Sequence, residues 1–150
     1  MNNLILFNRL LLFATFLTFC VVVFGAYVRL TDAGLGCPDW PGCFGTLTVP
    51  ESEIAIKEAQ TAYPGSIVEV DKAWIEMIHR YLAGILGLLV LLITIIAYKI
   101  RDEIKVKFIL PLSILVLITF QAALGMWTVT ELLKPIIVTA HLIGGMTILG

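Results

Sequence analysis

Four long apolar runs leave this chain few folds to choose from. They cover about Leu10 to Val28, Ala73 to Tyr98, Phe108 to Val129, and a stretch from Pro135 that is still apolar at Gly150. Runs approaching or exceeding roughly 18 apolar residues are read as membrane-spanning helices. Pro111 and Pro135 fall in opening turns, where a missing N–H costs little. Composition agrees: 59% of residues are hydrophobic and 14% charged, against about 25% charged in soluble domains. The expected fold is all-α, an integral membrane four-helix bundle in one unit of 150 residues, with a long extracytoplasmic loop between the first and second helices. The net charge of -1 offers nucleic acid no electrostatic footing. Membrane lipid is the partner that composition establishes.

Met1 to Val28 resembles a signal peptide only superficially. Arg9 precedes an apolar stretch of 19 residues from Leu10, longer than a signal core, and Phe24-Gly25-Ala26-Tyr27 makes a poor cleavage site. It reads as a retained first helix. The fourth run gives about 24 Å of helix, short of a ~30 Å hydrocarbon core, with no cationic anchor after it. The expectation is a truncated chain, or the N-terminal half of something longer.

Orientation follows from Lys and Arg near helix ends. Arg9 precedes the first helix, and Lys99, Arg101, Lys105 and Lys107 crowd the second connection. The segment from Arg29 to Lys72 is instead acid-rich, with Asp32, Asp39, Glu51, Glu53, Glu58, Glu69 and Asp71. The N-terminus is therefore expected in the cytoplasm and the 29–72 loop outside. Cys37 and Cys43 lie in that loop, within Gly36-Cys37-Pro38-Asp39-Trp40-Pro41-Gly42-Cys43. An oxidising compartment and a turn-rich spacer favour a disulfide. Two free thiols or half of a metal site are the alternatives, and zinc lacks nearby ligands to complete four. Cys20, inside the first helix, reads as a small core residue.

Ionisable residues within membrane helices are costly and usually functional. His79 lies five residues after Trp74, an interfacial anchor, and His141 six residues after Pro135. Both helices enter from the outer face, which places the rings roughly 8 and 9 Å along them. A haem iron with two axial imidazoles needs such a pair, from two helices at one level. Small residues accompany each: Ala83, Gly84 and Gly87 follow His79, and Gly144 and Gly145 follow His141. They leave room for a flat macrocycle, or simply let helices approach closely.

Glu76 and His79, at i and i+3, share a face near the outer mouth of the second helix. A di-iron site would need a second Glu-x-x-His and more glutamates, and Glu131 is the other acid near a helix. A carboxylate beside a haem can accept a proton or position water; alternatively Glu76 is an interfacial acid paired with Arg80 or Lys72. Arg29 and Arg80, at outer helix ends, suit haem propionates or interfacial snorkelling. Gln121 and Gly125, at i and i+4 on the third helix, are weaker candidates for the bundle interior.

These segments resemble the haem A synthase family. Gly25-Ala26-Tyr27-Val28-Arg29-Leu30-Thr31 with Gly34-Leu35-Gly36-Cys37-Pro38-Asp39-Trp40-Pro41-Gly42-Cys43 is similar to its first helix and outer loop. Lys72-Ala73-Trp74-Ile75-Glu76-Met77-Ile78-His79-Arg80-Tyr81-Leu82-Ala83-Gly84 is similar to its second helix. Gln121-Ala122-Ala123-Leu124-Gly125, with His141 twenty residues on, supplies the third match. The wording of the outer loop is closest to the proteobacterial and mitochondrial branch. The resemblance implies an enzyme of the cell inner (plasma) membrane that oxidises the C8 methyl of haem O to a formyl group, giving haem A for cytochrome oxidase. It implies His79 and His141 as ligands of the haem iron, Glu76 as a catalytic residue, and Cys37–Cys43 as a disulfide. It further implies haem O synthase and the oxidase assembly machinery as neighbours in the pathway. Family members usually have eight helices in two halves, the second carrying haem B. This chain therefore calls for a missing C-terminal half, or for a second copy as a homodimer. Three other readings stand beside this one: a bis-histidine electron-transfer cytochrome, a membrane thiol-disulfide oxidase (though the chain has no Cys-x-x-Cys), and a haem-free assembly factor.

Overall fold

The computed structural model describes residues 2–104 and 107–150, with side chains described from Leu4. Lys105, one of the cations of the second connection, lies outside the described residues. The helices are α1 (Asn2–Leu30), α2 (Glu53–Ala62), α3 (Val70–Lys99), α4 (Ile109–Thr130) and α5 (Pro135–Leu149). Three of them, α1, α3 and α4, are long and apolar enough to cross a membrane, and α5 is a shorter apolar helix. The chain is thus an integral membrane protein.

Two starts differ from expectation. α1 begins eight residues before Leu10, because Leu4 to Phe7 continue the apolar pattern across Asn8 and Arg9, and Phe7 is buried in the bundle. α3 begins three residues before Ala73. Its first turn carries Asp71 and its last Lys99, each sign suited to its end of the helix dipole. α4 and α5 match their expected bounds to within one residue.

The helices form a closed ring in which α1 touches α3, α3 touches α4, α4 touches α5 and α5 returns to α1. The pairs α1/α4 and α3/α5 are therefore diagonals. Large side chains on the outside of the ring, such as Leu12, Phe16 and Leu88, are exposed, as lipid-facing positions require. Phe7, Ala14 and Leu17 of α1 pack with Leu86, Val90, Ile93 and Ala97 of α3 in a core away from the long loop. A second core joins that loop to the first turns of α3 through Cys37, Cys43, Phe44, Val49, Ala59, Ala73 and Met77.

α2 was not expected, since the 29–72 segment reads as a polar loop. Its local signals are clear in retrospect. Ser52 caps it, accepting a hydrogen bond from the Ala55 amide at 3.2 Å, and Glu53 follows in the first turn. Ten residues, with Ala59 buried, make it a short amphipathic element that rests on the loop core. At the same end of the bundle, residues 131–134 turn α4 into α5. Leu132 and Leu133 both adopt positive φ there, a conformation costly for a branched side chain. Leu133 lies over Gly34 of the long loop, where a Cβ would come within 3.3 Å of it.

Candidate functional site

The outer turns of α3 hold the disulfide loop by polar contacts. Cys37 and Cys43 are bonded, with Cα atoms 4.8 Å apart, and both are fully buried. The Cys37 amide donates to Glu76 Oε2 at 2.9 Å. Glu76 Oε1 accepts from the Arg80 guanidinium one turn on, and the residue is 4% exposed. The same guanidinium donates to the carbonyls of Asp39, at 2.8 Å, and of Gly42. Trp74 Nε1 reaches Glu51 at 2.6 Å, and the Tyr81 hydroxyl donates to the Leu47 carbonyl. Gly36 lies flat on α3, where a Cβ would come within 2.8 Å of the Lys72 and Ala73 backbone.

Inside the loop, Asp39 accepts from the Phe44 and Gly45 amides at 2.6 and 2.8 Å and from the Tyr63 hydroxyl at 3.4 Å. Desolvation, then the nearby Asp39 carboxylate, push the Tyr63 phenol above its ordinary value. Of the two cations proposed for Glu76 from sequence, Arg80 is the one that pairs with it. Lys72 pairs with Glu69 instead.

His79 and His141 stand on the diagonal helices α3 and α5. Each ring is half-buried, and each Nδ1 is buried with no hydrogen-bond partner among the described residues. The Cε1–Nε2 edge of His79 faces Gly25 of α1, where a Cβ would stand 2.9 Å from Cε1; Phe24 stacks beside it at 6.4 Å. The same edge of His141 faces Gly125 of α4, with 3.4 Å to the equivalent Cβ position. Gly25 and Gly125 are each five residues before the end of their helices, Leu30 and Thr130. Both imidazoles therefore lie about 7.5 Å in from the loop end of the bundle.

The small residues that matter beside the rings are thus on neighbouring helices, not on the histidines' own. Gly84 and Gly87 face open space. Gly144 has no free room, because the Gln121 side chain fills the place of its Cβ. Gly25 could not be singled out from its local sequence, since its partner is distant in the chain and only helix pairing brings them together. Gln121 is buried and Gly125 meets His141, so both face the bundle interior as their spacing indicated. Arg29 makes an exposed pair with Asp32 at 3.5 Å near the loop end. Cys20 is half-buried with a free thiol. Two open grooves of about 510 and 610 Å³ lie on α4 near Val116 and on α2 near Lys57, away from both histidines.

Known proteins resemble this chain along nearly all of it. The pattern of the Cytochrome oxidase assembly protein family matches residues 8–150. A protein of Shewanella oneidensis named Heme A synthase is 54% identical over 132 residues, which are 88% of this chain and 39% of that relative. The Heme A synthase of Oceanobacillus iheyensis is 34% identical over 74% of this chain and 31% of its own length. That of Agrobacterium fabrum is 31% identical over 77% of this chain and 35% of its own. The chain thus spans well under half the length of these relatives. No solved structure is a significant match. With a family match over 143 of its residues, 8–150, and a relative sharing more than half of the aligned positions, the chain belongs to the haem A synthase family of cytochrome oxidase assembly proteins.

Proposed function

We propose that this chain is the N-terminal, substrate-binding half of a haem A synthase. In this reading it holds haem O between α3 and α5 while the C8 methyl is oxidised to a formyl group, yielding haem A for cytochrome oxidase. The observation that carries the reading is the pair His79 and His141, on diagonal helices at one depth, each with a buried Nδ1 that has no hydrogen-bond partner among the described residues. Two imidazoles from separate helices at one level are the donor set for a six-coordinate haem iron.

When bound, the haem iron supplies the redox chemistry that oxidation of a methyl group needs. The chain supplies the rest. His79 and His141 fix the plane and depth of the ring. Gly25 and Gly125 keep space at the ring-facing edges of the imidazoles, where a larger side chain would displace them. Glu76, one turn from His79 and paired with Arg80, is the candidate proton acceptor. Its Oε2, which accepts from the Cys37 amide, has a second lone pair to offer the reacting group. Arg29, whose partner Asp32 is exposed, is free to meet a propionate. Arg80 is the second arginine of the site, and its part is to hold Glu76 and the disulfide loop in register.

The loop end is extracytoplasmic and the N-terminus cytoplasmic, following the cation distribution, and the membrane is the plasma membrane, as the family resemblance implies. The rest of the enzyme is a C-terminal half or a second copy, with haem B as its additional prosthetic group. Haem O synthase stands upstream, and the oxidase assembly machinery downstream. The Cys37–Cys43 bond acts in this reading as a brace for the loop.

Optical and EPR spectra of the haem-loaded protein test the ligand pair. His79→Ala and His141→Ala should each abolish the low-spin bis-imidazole signal, and a full signal in both variants would sink the assignment. Incubation with haem O separates a synthase from an electron-transfer cytochrome with the same ligands. A synthase releases hydroxymethyl and formyl products, whereas a cytochrome returns haem O unchanged.

A further inference from the structure

Polar side chains in the spans mostly satisfy themselves. Thr15, Thr18, Thr94, Thr119 and Thr147 each donate to the carbonyl four residues back on their own helix. Gln121 does not. It is 7% exposed on α4, and its Nε2 is buried with no hydrogen-bond partner among the described residues. Its amide reaches across to α5 and lies over Gly144, where a Cβ would stand only 1.7 Å from Nε2. Gly144 is three residues beyond His141, and Gly125, which meets the His141 ring, is four residues beyond Gln121. The orphan amide therefore occupies the His141 seam, about 6 Å deeper than the ring measured along α4. A buried donor without an acceptor is costly, and inside a membrane it calls for a polar partner.

We propose that Gln121 donates a hydrogen bond to the hydroxyl on the prenylated side chain of haem O, and so determines which haem the site accepts. This rests on the reading of His79 and His141 as ligands of a haem. The two propionates are charged and stand on adjacent pyrroles, so they turn toward water at the loop end. The opposite half of the macrocycle then points into the bilayer. In haem O that half bears the hydroxylated prenyl chain, and in haem B a vinyl group takes its place. Gln121 lies on that deep side, with a donor that haem O can satisfy and haem B cannot. A site built around a buried donor rejects the analogue that lacks the acceptor, because the donor is then left unpaired. Gly144 serves this arrangement by leaving the amide room to lie flat between α4 and α5.

The test is an optical titration of the purified protein with haem O, with haem B, and with a prenylated haem lacking the hydroxyl. Wild type should bind haem O about tenfold more tightly than its dehydroxylated counterpart, as expected for one buried hydrogen bond. Gln121→Leu, close in volume and without a donor, should erase that ratio while the low-spin spectrum stays unchanged. Equal affinity of wild type for the two prenylated haems would overturn the proposal, and that comparison needs no variant to fold. A Gln121→Leu protein that keeps the ratio but accumulates a hydroxymethyl product would also overturn it, by placing the amide at the reacting carbon instead. Absence of a low-spin spectrum from wild type with every haem would be a different failure, that of the ligand pair itself.

Discussion

α3 and α5 carry the two histidines and are supported in very different ways. α3 is 30 residues long and buries residues from Ala73 to Ala97. Through Trp74, Glu76, Arg80 and Tyr81 it also binds the long loop. α5 has 15 residues and none that is buried. It is positioned by its seams with α4 and α1, by Gly144 under Gln121 and Gly145 near Val22, and by a turn whose Leu133 lies on Gly34. In lipid there is little hydrophobic drive to bring helices together, so association depends on packing and polar contacts. α3 has both in quantity, and α5 has close packing at glycine. His79 is thus presented by a braced element and His141 by a seam.

Arg80→Leu should give the largest effect of substitutions outside the histidines. It leaves the Glu76 carboxylate buried without its cation and strips the Asp39 and Gly42 carbonyls of their donor. Breaking a buried pair in this way costs about 3–5 kcal/mol. Unfolding in detergent should show that loss, together with rapid proteolysis between Gly36 and Thr48. A variant as stable as wild type, with an intact loop, would mean that α3 is not braced by these contacts.

Gly25→Ala and Gly125→Ala compare the two histidines directly. The added methyl would meet His79 at 2.9 Å but His141 at 3.4 Å. Overpacking of the first kind costs about 1–3 kcal/mol, so Gly25→Ala should weaken haem binding by about tenfold or more. Gly125→Ala should have the smaller effect, because the α4/α5 seam can yield by a few tenths of an ångström. The reverse order in a haem titration would show that α5 is the stiffer support. The smallest change is expected from Glu131→Gln. Its partner Lys134 is exposed in the turn between α4 and α5, and such pairs contribute about 1 kcal/mol or less. Thermal unfolding at low and high salt measures it, and a loss rivalling that of Arg80→Leu would invert the comparison.

The proton step has its own signature. If Glu76 accepts a proton, Glu76→Gln should retain the low-spin haem spectrum and lose turnover of haem O. Full turnover by that variant would leave Glu76 as a structural bridge between Cys37 and Arg80.

The four apolar helices, three of them long enough to span, were legible because length and hydropathy suffice for them. Lipid demands a continuous apolar helix, and that demand is written locally in the residues. The Cys37/Cys43 spacing and the Glu76/Arg80 spacing of one helical turn were local in the same sense. α2 was equally local, with Ser52 as its cap, but it was hidden by its polarity within an acid-rich segment. What the residues alone could not specify was which helices would become neighbours. The ring order sets His79 against Gly25 and His141 against Gly125, and it lays Gln121 over Gly144. It also turns Arg80 toward the loop carbonyls. Apolar helices are nearly uniform around their circumference, so periodicity does not name their partners. Side-chain fit at a few glycines and hydrogen bonds at the loop end make that choice, and both exist only once the helices are packed.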